Sequence, residues 1–158
     1  MSEIILMIEP SEIVSLTTFD GNIDIDNLRP MIFIAQTTHL KAFLGLDLYN
    51  KIYNDFVADA LSGNYLIIYN DYVKDILSYT TASLFVDFGG YKVSENGIHK
   101  ITGENMQTLD ESETAKLVLR YSKLIGNIEY NFKQFVDPLG LPELQSSSIN
   151  VQTDFPWH

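Results

Sequence analysis

The segment TAKLVLRYSKLIGNIEYNFKQF, residues 114–135, decides how the rest of the chain is read. Its large apolar residues Leu117, Tyr121, Leu124, Ile128, Phe132 and Phe135 step by four, three, four, four and three, which returns each side chain to one face of a 3.6-residue helix. Lys116, Arg120, Lys123 and Lys133 fall mostly on the remaining surface. Asp110 or Ser112 opens this helix, Asp110 pairing with Glu113 as a variant capping box, and Pro138, Gly140 and Pro142 end it. A helix with so wide an apolar stripe needs partners to cover it.

Upstream, helical spacing recurs. Asp26 or Asn27 can cap a first helix, Pro30 is tolerated in its opening turn, and Leu28, Ile32, Ala35 and Gln36 continue one face to about Leu40. Phe43, Leu44 and Gly45 make a tight apolar corner. A second stripe runs from Leu48 and Tyr49 through Ile52, Tyr53 and Phe56 to Leu61, and ends at Ser62-Gly63-Asn64. A third joins Tyr69, Tyr72, Val73, Ile76, Leu77, Thr80, Leu84 and Phe88, stopping at Gly89-Gly90. Between about 91 and 109 the period is lost, and Ser94-Glu95-Asn96-Gly97 between short alternating segments is a hairpin signal. Residues 1–25 mix short apolar pieces with Pro10, Gly21 and several acids, the pattern of an extended arm or edge strand.

The expected fold is therefore mainly α. It comprises an extended N-terminal arm over 1–25, a four-helix bundle-like domain over 26–137 with a small β-hairpin at about 91–101 before the last long helix, and an extended C-terminal tail over 138–158. The length of 158 residues suits one domain, and 46% apolar residues suffice for a core.

Twenty-one acids against ten bases give a net charge of −11, with −7 in residues 1–79 and −4 in 80–158. Such a surface repels phosphate, which argues against nucleic-acid gripping by counterion release and against adhesion to anionic membranes. Cysteine is absent, so disulfides, thiolate nucleophiles and cysteine metal sites are excluded. No apolar run approaches the roughly 18 residues of a membrane span, and the opening residues lack the basic region of a signal peptide.

Few patterns point to catalysis. Asp20, Asn22, Asp24 and Asp26 alternate as in a calcium loop, but its glycine position holds Ile25 and its glutamate position Met31. His39, His99 and His158 form no i, i+4 pair of the kind that holds zinc. No phosphate-binding glycine motif occurs. Glu104, Asp110, Glu111 and Glu113 cluster, yet Glu111 and Glu113 sit in a first helical turn, where the macrodipole favours acids without any chemistry. No catalytic residue, metal site or cofactor is expected. The tail ending Phe155-Pro156-Trp157-His158 carries the chain's single tryptophan, an aromatic anchor suited to docking on a partner or folding back on its own domain.

The run Leu28-Arg29-Pro30, Ala35-Gln36 and Leu40-Lys41-Ala42-Phe43-Leu44-Gly45-Leu46-Asp47-Leu48-Tyr49, followed by a Tyr-rich helix, a hairpin with Gly97 and a last helix containing Tyr121, resembles the head-tail connector (adaptor or head-completion) proteins of tailed bacteriophages. It is similar in particular to those of phages of gut Bacteroidales, including crAss-like phages, over residues 26–136. The resemblance implies a non-enzymatic virion protein of the neck, present in the host cytoplasm before assembly. It would form a ring, typically of twelve copies, below the portal protein and above the next tail or connector protein, through which DNA passes without specific binding. It also implies that Leu44, Gly45, Leu48 and Tyr49 form the corner fixing the first two helices, and that the hairpin residues Glu95, Asn96, Gly97 and His99 and the terminal segments touch neighbours. An acidic lining would let DNA slide by like-charge repulsion. Two other classes remain open at this level: an acidic binding module such as a DNA mimic, and a small hydrolase using carboxylates.

Overall fold

Gly45 divides the first half of the molecule. Its backbone sits at φ +80°, ψ 156°, a conformation that favours glycine, and it turns the chain out of one helix and directly into the next. The computed structural model describes residues 3–17, 25–88, 91–94, 97–100 and 111–145. In chain order these comprise α1 (Pro10–Leu16), a 3-10 turn (Ile25–Leu28), α2 (Arg29–Ile34), a π-helical segment (Ala35–Leu40), α3 (Lys41–Leu44), α4 (Leu46–Val57), α5 (Gly63–Ile68), a second π segment (Tyr69–Val73), α6 (Lys74–Asp87), strands β1 (Tyr91–Ser94) and β2 (Gly97–Lys100), and α7 (Glu111–Val136). The fold is mainly helical. β1 and β2 pair antiparallel with Tyr91 opposite Lys100 and Ser94 opposite Gly97.

α2, the first π segment and α3 run on as one rod from 29 to 44, as do α5, the second π segment and α6 from 63 to 87. The π segments have a packing consequence. The buried residues Ile32, Gln36, Leu40 and Leu44 step by four, and in a 3.6-residue helix each such step drifts about 40°. Wider π turns take up the drift and keep all four on the core side. Thr37 Oγ1 donates to the Phe33 carbonyl at 2.7 Å, and Thr38 Oγ1 to that of Ile34, so hydroxyls occupy acceptors that an α-helical N–H would use.

The core joins both rods, α4 and the last helix through Ile32, Leu40, Leu44, Leu48, Ile52, Ile68, Val73, Ile76, Leu77, Phe132 and Val136, each such side chain contributing about 1.5–3 kcal/mol by leaving water. α7 closes the core through aromatic contacts. Phe132 meets Phe43 at 4.8 Å between ring centroids and Tyr72 at 5.6 Å, and Tyr121 faces Tyr79 at 6.1 Å. Its buried seam is Tyr121, Ile125, Phe132 and Val136, so the helix is turned slightly from the expected face: Leu124 stands 43% exposed and Ile125 is buried in its place.

The N-terminal region departs from the extended arm expected over 1–25. Pro10 opens a helix there, its fixed φ suiting a first helical position, and the Glu12 carboxylate turns back to accept the Glu9 N–H at 3.1 Å. Met7, Ile8 and Ile13 belong to the core, Met7 and Ile13 with no exposed surface. The start of the expected tail is likewise folded in. Leu141 is buried in the core, Leu144 packs against it, and the Glu143 carboxylate accepts the Tyr65 hydroxyl at 2.7 Å.

Candidate functional site

A polar amide on an apolar helix face must find partners when buried, and Gln36, with no exposed surface, finds them in the N-terminal segment. Its Oε1 accepts the Met7 N–H at 2.8 Å, its Nε2 donates to the Ile5 carbonyl at 2.9 Å, and the same Nε2 approaches the Tyr49 hydroxyl at 3.4 Å. Two further hydroxyls complete the set: Tyr53 accepts the Ile5 N–H at 3.1 Å, and Tyr69 donates to the Met7 carbonyl at 2.6 Å. The main chain at residues 5 and 7 is thus held as a sheet neighbour would hold it, but by side chains from three elements. Gln36 and Tyr69 each lie in a π segment.

Burial pushes the Tyr69 hydroxyl up to about 12, with the carboxylates of Glu12 and Glu9 adding to the effect, so it remains a donor at neutral pH. Burial also raises Tyr49, against the opposing bond to Gln36. Outside this clamp, α1 is tied to α6 by an ion pair between Lys74 Nζ and Glu12 Oε1 at 3.2 Å.

Beside the clamped segment lies an open groove of about 690 Å³, lined among others by Ile4, Leu6, Glu9, Arg29, Pro30 and Phe33. Arg29 faces the carboxylates of Asp26 at 3.3 Å and Glu9 at 3.8 Å. Ile4, Ile5 and Phe33 are 39, 47 and 45% exposed, an apolar surface at the edge of the molecule.

The corner residues expected from the sequence come together: Leu44, Leu48 and Tyr49 are buried around Gly45. Of the hairpin residues, Gly97 and His99 lie in β2, opposite Ser94 and Lys92; Glu95 and Asn96 lie outside the described residues, as do Phe155, Pro156, Trp157 and His158. His39 makes a contact its isolated position did not foretell, its Nε2 lying 3.0 Å from Glu129 Oε1 on α7. Asp26, from the acidic turn that resembled a calcium loop, pairs with Arg29, while Asp20 and Asp24 lie outside the described residues. Among the acids weighed as a hydrolytic cluster, Glu104 and Asp110 lie outside the described residues, and Glu111 and Glu113 stand in the first turn of α7. Among the described residues no group of three His, Cys, Asp or Glu side chains could hold a metal ion, and no helix is long and apolar enough to cross a membrane.

Surface charge is unevenly divided. From Glu3 to Phe88 the described residues carry ten acids and four bases. α7 carries four exposed bases, Lys116, Arg120, Lys123 and Lys133, and three acids, Glu111 and Glu113 in its first turn and Glu129, which faces His39. Compared with known families, residues 40–128, more than half of the chain, match DUF6712, a family of unknown function. No curated protein and no solved structure matches the chain. The matched span begins after Gln36, so the N-terminal segment and the amide that holds it lie outside that span.

Proposed function

The chain belongs to the DUF6712 family, and we propose that it is a structural protein of a tailed-phage virion. In this reading its four-helix bundle-like domain forms a ring below the portal, connects head to tail and extends the DNA channel. The observation that carries the reading is the fate of the block that resembles phage adaptors. Ala35 to Tyr49 is used mainly in packing: Ala35, Gln36, Leu40, Leu44, Leu48 and Tyr49 are buried, and Gly45 makes the helix-to-helix corner. Residues that build a corner serve architecture, and a ring subunit needs a stiff frame from which terminal segments and surface faces reach neighbours.

Charge supports the same reading. The acid-rich surface contributed by Glu3 to Phe88 suits a channel wall that DNA passes without adhering, while the exposed Lys116, Arg120 and Lys123 on α7 suit a head-to-tail contact with an acidic face of the next copy. The test is co-expression with a tailed-phage portal protein, followed by size-exclusion chromatography and negative-stain microscopy. A stable complex with a ring of this chain on the portal is the expected result. A chain that ignores the portal and instead inhibits a nucleic-acid-binding enzyme would overturn the reading in favour of a DNA mimic.

A further inference from the structure

An extended segment has two hydrogen-bonding edges, and at Glu3–Leu6 only one is used. Ile5 and Met7 point their N–H and C=O groups to Tyr53, Gln36 and Tyr69. Alternation of an extended backbone directs those of Ile4 and Leu6 the other way, toward the groove. Among the described residues these groups meet no partner. An exposed strand edge beside apolar side chains invites pairing with another strand, and natural proteins cover such edges.

The chain itself carries a segment suited to this edge. Thirteen residues follow Gln145, and within them Ser148-Ile149-Asn150-Val151-Gln152-Thr153-Asp154-Phe155 places the β-branched and aromatic residues Ile149, Val151, Thr153 and Phe155 on one side of an extended chain and Ser148, Asn150, Gln152 and Asp154 on the other. Ile149 to Phe155 carries a single charge, Asp154, and the groove offers Arg29 beside Glu3 and Glu9. Ile149 follows Gln145 by four residues, a tether that reaches up to about 14 Å when extended. The chain leaves the core at Leu141 and Leu144, where Glu143 is bonded to Tyr65 and Tyr65 lies 5.0 Å under Lys51 of α4. The same helix provides Tyr53 to the clamped segment.

We infer that the free edge of Glu3–Leu6 is the docking site for the chain's own C-terminal segment Ile149–Phe155, added as a β-strand with its apolar side chains against Phe33, Pro30 and Ile4. A short tether gives this segment an effective concentration in the millimolar range, so the copy's own tail outcompetes a neighbour's in the free protein. A second copy's Glu3–Leu6 is a poorer occupant, because it would set Glu3 and Glu9 of two chains together. The inference does not rest on the ring: it concerns the free subunit and is tested there.

Amide hydrogen exchange followed by NMR distinguishes the two edges. In the full chain the Ile4 and Leu6 amides exchange at least tenfold more slowly than in a chain ending at Gln145, whereas the Met7 amide, bonded to Gln36, is unchanged. The double variant Val151→Pro, Gln152→Pro removes a ladder donor in either register without touching the described core, and it reproduces the truncated pattern. A synthetic peptide of residues 146–158 restores the protection when added to the truncated chain. Equal exchange of Ile4 and Leu6 in full and truncated chains would overturn the inference, as would protection surviving the double variant. Protection that persists in the truncated chain and is lost on dilution would assign the edge to a second copy and would equally overturn it.

Discussion

Replacing Gln36 by Leu keeps the volume of the side chain and removes both ends of the amide. The Met7 N–H, fully buried, loses its acceptor, and the Ile5 carbonyl, near the rim, loses its donor. An unpaired buried group costs about 1–3 kcal/mol; with Ile5 at the low end because water can reach it, the pair costs about 2–4 kcal/mol. For a chain of this length, each kcal/mol lowers the melting temperature by roughly 2–4 °C, so the midpoint should fall by about 5–15 °C. Urea unfolding at 25 °C followed by far-UV circular dichroism measures the first quantity, with the m-value unchanged if the loss is confined to the native state. Exchange of the Met7 amide should accelerate in parallel, because the segment from Glu3 to Ile8 is released before the helices open. A loss below about 0.5 kcal/mol, or a loss that leaves Met7 exchange untouched, would refute the clamp as the device that holds the N-terminal segment.

Three other consequences follow from particular contacts. Phe132→Ala empties the space between Phe43 and Tyr72 and should destabilise by about 3–5 kcal/mol in the same urea assay. Burial first, and the neighbouring Asp71 second, raise the Asp75 carboxyl, so its charge is disfavoured in the folded state at neutral pH. Asp75→Asn should therefore stabilise the protein at pH 7, by about 0.2–0.5 kcal/mol from relief of the like-charge i, i+4 pair, and the gain should shrink as pH falls and the aspartate protonates. Tyr65 is pushed up to about 12 by burial first and its bond to Glu143 second, and Tyr69 reaches about 12 as well. Both phenols stay protonated in the folded state after their unfolded counterparts ionise near pH 10, so the stability they contribute is fully present below pH 10 and lost between about 10 and 12. Denaturation midpoints across that window should fall steeply for the natural chain and less steeply for Tyr65→Phe.

The helices were legible wherever a periodic stripe met a clear stop. α7 could be read from its spacing and from Pro138 and Gly140, and the Gly45 corner from the glycine between two apolar runs. α1 was hidden because seven residues hold too few turns for a period to emerge and because Pro10 reads as a breaker unless its place at a helix start is known. Leu124 and Ile125 are adjacent and both apolar, so spacing alone could not decide which of the two is buried. The clamp joins residues 5 and 7 to 36, 53 and 69, a contact no local pattern encodes. One signal was present: Gln36, a polar amide in line with Ile32, Ala35 and Leu40, marks a buried hydrogen-bond partner somewhere else in the chain. The charge of −11, its uneven division along the chain and the bases of α7 opposite its apolar stripe were equally visible.

The central claim, that this chain is a ring-forming connector, is tested most directly by locating it in an assembled particle. Cryo-electron microscopy of the virion neck, at a resolution that places the 29–44 and 63–87 rods and the Gly45 corner, should show a closed ring of copies immediately below the portal with the DNA channel running through it. A neck whose density below the portal is fully accounted for by other chains would contradict the account.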